Sequence, residues 1–504
     1  MKKIHIFLCA LFLCISCAPT PKDVVKTESP LVIYPDYQNI TIPCNIAPLN
    51  FMMRDEGVDA VQVEFLGEGK ETVYNNRGRK ATFDEKSWRA MLEANKDKSI
   101  EVKVTARKDG QWLAYAPFNI SVNSDPVDSY LTYRLIEPGF EVWDDVDIEE
   151  RCVENFSTRF IAEGKHLGNR CMNCHTHGGD QGQYSFFHLR GEKGGTILNR
   201  NGQLRKVTLK TPEMTNGSVY GDFHPSGRYA VYTNNFIISS FHSSGNNRLE
   251  VYDTSGGMCM VDFDSNKIAI FNPDAKEGVV QKDLNPKYLF SFPCFSSDGK
   301  SIYFCATQNP CGDTIPTADD MLPFEADLQY SICRVDFDEE TFSFGQKIDT
   351  IYNAMQQGGS ANLLKCSPDG QYLAFSLADK GTFPIWHRKT KLALLDLKTG
   401  QSHILAYNGT YHSWSHNSKW LVFASKREDG QYGRAYFAHV DTDDGTPVFT
   451  KPFVLPQADP EHDDMNLRSY NIPDLGTLPV PFTHDDVKLL LENKPSEAFV
   501  TQHN

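Results

Sequence analysis

Short runs of alternating apolar and polar residues, each opened by a tight turn, recur along the second half of the chain. Alternation at period two is the pattern of a strand with one face buried. Four such runs align. They open on Phe223-His224-Pro225-Ser226-Gly227, Phe295-Ser296-Ser297-Asp298-Gly299, Cys366-Ser367-Pro368-Asp369-Gly370 and Trp414-Ser415-His416-Asn417-Ser418. The third copy explains the turn: Pro presets φ, Asp bonds back to the backbone, and Gly takes the last, left-handed place. Further hairpins follow, with turns at Lys398-Thr399-Gly400 and Asp338-Glu339.

The first third reads differently. Ile100, Val102 and Val104 alternate with charged residues, Lys108-Asp109-Gly110 turns the chain, and Trp112 to Val122 returns. That is a hairpin. Phe83 to Asn95 has helical spacing, with Trp88, Met91 and Leu92 on one face. Residues 31–125 are therefore expected to form a β-sandwich-like domain with a helical insertion. Residues 126–187 are expected to form a helical connecting segment, with a helix over 146–163. Tyr130, Tyr133, Leu135, Phe140 and Trp143 in it suit a flat apolar partner.

The four aligned runs resemble the TolB-like, WD40-like (PD40) propeller repeat. At about 45 residues per blade, residues 188–457 would hold roughly six blades. The expected fold is mainly β: a roughly six-bladed TolB-like propeller, preceded by the sandwich-like domain and the short helical segment. Residues 458–504 are left as a C-terminal extension. Propellers host many functions, so the repeat alone assigns none.

The start of the chain sets the compartment. Lys2 and Lys3 precede an apolar run from Ile4 to Ile15, which reads as a signal peptide over residues 1–17. Cys14-Ile15-Ser16-Cys17 resembles a bacterial lipobox, with Cys14 where Leu is usual. Cys17 is then the lipid-bearing first residue of the mature chain, and residues 18–30 are a tether. The expected location is the cell envelope, anchored to a membrane by lipid. A net charge of −15 over 504 residues argues against nucleic acid as a partner.

The candidate chemistry is Cys171-Met172-Asn173-Cys174-His175. Two cysteines at this spacing with an adjacent histidine form a c-type haem attachment motif. Cys171 and Cys174 would carry the thioethers and His175 would be the proximal iron ligand. A zinc site would need a second ligand pair, and the chain has no other Cys-x-x-Cys. A local disulfide is the remaining alternative. For the sixth iron position the candidates are His188 first, thirteen residues on, and Met214 second, since c-type iron takes His or Met there. His224, His412 and His416 read as turn or loop histidines. A segment of about 60 residues is small for a free-standing haem domain, so a haem c would be shared with a neighbouring domain. Of the 13 cysteines, eight others remain in the mature chain, among them Cys294, Cys305, Cys311 and Cys333 close together.

A lipoprotein signal, one Cys-x-x-Cys-His and TolB-like repeats together are similar to a group of exported Gram-negative proteins, often labelled cytochrome c biosynthesis proteins. Phe187-His188-Leu189-Arg190-Gly191, Tyr411-His412-Ser413-Trp414-Ser415 and Tyr470-Asn471-Ile472-Pro473 carry the same resemblance. It implies electron transfer or haem handling at a membrane, with a redox partner protein. Two other readings stand beside it. One is a lipid-anchored propeller scaffold that binds protein or glycan without haem. The other is a haem oxidoreductase acting on a small molecule. No Gly-x-Ser-x-Gly nucleophile motif is present.

Overall fold

The structure, a computed structural model, describes residues 18–69, 71–137, 145–179, 183–192, 194–214, 216–242, 249–271, 273, 287–312, 316–387, 389–442, 445–493 and 496–502. The signal segment with Cys17, and Phe140 and Trp143, lie outside the described residues. The fold is mainly β, as the alternating pattern predicts.

The N-terminal part has a seven-stranded sheet and a three-stranded one. The hairpin pairs Lys98–Lys108 with Gln111–Ala114. Asp109 and Gly110 both have positive φ, as a tight two-residue turn between right-twisted strands requires. Val25–Lys26, read from sequence as tether, adds a parallel strand beside Leu113–Ala114. The helix Glu85–Ala94 is capped by Asp84, which accepts from the Ser87 amide, and buries Trp88, Met91 and Leu92. Trp88 Nε1 donates to the Ile46 carbonyl at 3.0 Å, so the indole is buried without an orphan donor.

Six antiparallel sheets follow. Each begins at an edge strand, numbered here β1 (Met172–Gly178), β2 (Val219–Phe223), β3 (Tyr288–Phe295), β4 (Ser360–Cys366), β5 (Thr410–Trp414) and β6 (Ser469–Gly476). These lead strands neighbour one another in order, and β6 also lies against β1. The last sheet joins segments far apart in sequence: β6 pairs with Tyr130–Ile136, which pairs with Asp147–Cys152 and then Thr158–Glu163. Two expectations are corrected by this sheet. The helix expected over 146–163 is a strand pair, and residues 458–504, expected only as a C-terminal extension, supply a lead strand. Their pairing spans more than 300 residues, so no local period reveals it. The chain's last strands, Glu497–Ala498 and Val500–Thr501, add in parallel to the outer edges of the sheets led by β1 and β2.

The four aligned turns share one geometry. Gly227, Gly299, Gly370 and Ser418 have φ between 60° and 73°. Asp298, Asp369 and Asn417 each accept from the amide two residues on. The linker at 125–128 is stapled to the sheet led by β5. Asp128 accepts from His416 Nδ1 at 2.6 Å, and the Pro126 and Asp125 carbonyls accept from Asn417 and Trp420.

Candidate functional site

Every lead strand carries a β-bulge at the same level. The bulged residues are Cys174, Tyr220, Phe292, Leu363, Tyr411 and Ile472. All but Tyr220 have positive φ, which is uncommon for non-glycine residues and so marks a repeated device. The bulge turns its own side chain and the next toward a common space. Cys174 with His175, Tyr411 with His412, and Lys365 line one cavity of about 70 Å³.

Cys171 is half-buried and Cys174 is buried, and both are free thiols. Burial pushes both thiols up, and Arg134 and Arg190 nearby work against that rise. Asn173 donates to Cys171 Sγ at 2.8 Å and accepts from Arg134. His175 is 5% exposed, and neither ring nitrogen makes a hydrogen bond. Burial pulls its pKa down to about 3 against the pull of Asp474 and the nearby Ile472 carbonyl, so the imidazole is neutral. A neutral, unpartnered imidazole is the form that ligates a metal.

The sixth-ligand candidates lie elsewhere. His188 sits on the strand beside β1, opposite Asn173; its Nδ1 is 2.9 Å from Thr196 Oγ1 and its Nε2 is unpartnered. Met214 packs in an apolar cluster with Phe186, Phe223 and Tyr232. Neither lines the cavity that holds His175. His412, read from sequence as a loop residue, lies in β5, one position past the bulge, where His175 sits in β1. It is 4% exposed, both ring nitrogens are unpartnered, and burial pulls its pKa down to about 4. The aligned turn at Trp414 implies a strand leading into it, and that strand is the signal that could have found His412.

At the far ends of the lead strands a second cavity of about 600 Å³ opens, lined by His177, Asp222, Lys365, Trp414 and Asp474 among others. Lys365 separates the two. Its ammonium lies 3.0 Å from Asp222 Oδ1 and 3.3 Å from Thr176 Oγ1. Burial opposes its charge, but Asp222 and Asp474 outweigh that and raise its pKa.

The donor set suits a covalently attached haem: two free thiols at the motif spacing and a buried histidine whose ring lacks a partner. The cavity behind His175 is well below the ~300–1,000 Å³ of ordinary ligand pockets. It accounts for the ligands and not for the bed of the ring. Among the described residues no group of three or more His, Cys, Asp or Glu is placed to hold a metal ion. No described helix is long and apolar enough to cross a membrane.

No protein-family model and no curated protein matches the chain. Among solved structures it is similar to TolB from Acinetobacter baumannii, at 14% identity and a TM-score of 0.44, over 78% of this chain and 85% of that one. It is also similar to the tricorn protease, at 11% identity and a TM-score of 0.33, over 81% of this chain and 43% of that one. A DUF4784 family protein from Bacteroides caccae follows, at 8% identity and a TM-score of 0.27, over 74% of this chain and 95% of that one.

Proposed function

We propose that the six sheets form a TolB-like, six-bladed propeller in an exported, lipid-anchored protein of the cell envelope, and that this protein carries one c-type haem for electron transfer with a partner protein. The observation that carries the reading is His175: a neutral, buried imidazole with two idle ring nitrogens, directly after two free thiols at haem-attachment spacing. Cys171 and Cys174 would hold the group and His175 would ligate the iron. A haem so held supplies one-electron transfer without bond chemistry in the protein. Arg134 and Arg190 give the attachment edge positive charge, which suits carboxylate-bearing groups. The order of lead-strand neighbours, with β6 against β1, supports ring closure.

The test is an optical spectrum and a haem-stained denaturing gel of the mature chain from cells that mature other c-type cytochromes. Haem that survives denaturation, and disappears in the Cys171→Ser/Cys174→Ser double variant, bears the reading out. A colourless wild type rejects it. That result would favour the scaffold reading, which the 600 Å³ polar mouth supports by offering a ligand-sized space away from the motif.

A further inference from the structure

A set of buried oxygen atoms that line neither cavity lies where insertions of three sheets meet. Asp253 is on the strand Leu249–Ser255, Asn235 is at the base of the same hairpin, Tyr330 precedes Ser331–Asp338, and Thr382 follows Tyr372–Ala378. Asp253 and Thr382 are each 1% exposed. Tyr330 donates to Asp253 Oδ2 at 3.4 Å, and Asn235 and Thr382 also act on the carboxyl. Yet Asp253 Oδ1, Asn235 Oδ1 and Thr382 Oγ1 make no hydrogen bond. Asn235 spends its amide on the Phe290 carbonyl at 2.8 Å, so its oxygen is left for something else. Asn362 repeats this one step away: its amide donates to the Gly381 carbonyl at 3.2 Å and its oxygen is idle.

Buried polar atoms are nearly always partnered. Here the idle atoms are oxygens, two of them acceptors only, around one carboxylate. Tyr330 bonds one oxygen of the carboxyl, the other oxygens around it are left without a hydrogen bond, and a cation is a partner that all of them could share. We propose that Asp253, Asn235 and Thr382 form a site for a single monovalent alkali cation. One carboxylate and neutral oxygens balance one positive charge, whereas calcium sites use several carboxylates among 6–8 oxygens. The groups facing Asp253 are uncharged: Asn235, Thr382, Tyr330, and the more distant Tyr220 and Cys305, whose pKa values burial raises. Burial also pushes the Asp253 carboxyl up to about 7, which is the cost of a carboxylate without a counter-ion. The site would tie the three insertions together. The buried Glu250–His387 pair, 2.8 Å apart, joins two of them nearby.

The experiment is thermal unfolding of the mature chain in sodium, potassium, calcium and choline chlorides at one ionic strength. Sodium or potassium should raise Tm saturably over choline, by roughly 2–5 °C. Asp253→Asn should remove the difference, and Thr382→Val, which keeps the carboxylate, should weaken the half-saturating concentration several-fold. Equal Tm in all four salts overturns the proposal and leaves ordered water in the site. A response to calcium alone, or one that persists in both variants, overturns it as well.

Discussion

Cys174 holds a backbone conformation that costs an ordinary residue about 1–2 kcal/mol. Phe292, Leu363, Tyr411 and Ile472 hold it too, at the matching position of their strands. None is glycine, so side chains are kept where glycine would be easier, and those side chains wall the cavity. His412 shows the electrostatic side of this choice. Its folded pKa of about 4 is below the ordinary histidine value, so its contribution to stability is complete above pH ~6.5 and is lost as pH falls toward 4. At pH 5 the loss from this residue should be about 1–2 kcal/mol relative to pH 7. Denaturant titrations at the two pH values check it, because His412→Leu should shrink the pH difference by about that amount. An unchanged difference would mean that His412 is protonated or solvated in the fold.

At the scale of elements, the aligned turns are an internal experiment. Ser367 Oγ donates to Asp369, and the Gln371 amide donates to the same carboxylate at 3.0 Å. In the fourth copy Asn417 takes those two bonds from Ser415 and Lys419. In the first copy Ser226 does part of the work, accepting from the Arg228 amide. The turn therefore needs an acceptor at this place and not a charge. Asp369→Asn should be close to neutral, and Asp369→Ala should cost about 1 kcal/mol per lost bond, read from urea midpoints. Gly370→Ala should cost more than a strain-only estimate of ~1 kcal/mol, because φ is 72° and the new Cβ would stand 2.4 Å from Ser297 Oγ. These turns were legible in the sequence because the constraint is mostly local: the acceptor and the bonds it takes lie within six residues, although the Asp369 amide also donates to Ser418 Oγ of the next copy. The bulges one strand earlier were not, since Leu363 and Tyr411 look like ordinary strand residues and only the register against a neighbour reveals them.

At the scale of the whole molecule, the same division between local and distant constraint explains what was misread. Asp147–Cys152 holds four charged residues, one isoleucine and one cysteine, and its strand form comes from neighbours on both sides. One of those neighbours, Tyr130–Ile136, is in turn fixed by β6, which arrives from the far end of the chain. Arg134, Asp474 and Asn471 meet in that pairing, close to the motif on β1, so the site's surroundings depend on it. The C-terminal residues are thus part of the last sheet and of its contact with β1. Ending the chain after Arg468 would remove β6, leave the Tyr130–Ile136 edge unpaired, and open the contact between β6 and β1. An uncovered apolar edge of this length favours aggregation. The truncated chain should fail to give a cooperative unfolding transition, while ending it after Asn493, which removes only the two short outer strands, should lower Tm and keep cooperativity. Calorimetry of the two truncations separates the cases. A cooperative transition in the shorter one would show that the sheets do not depend on β6.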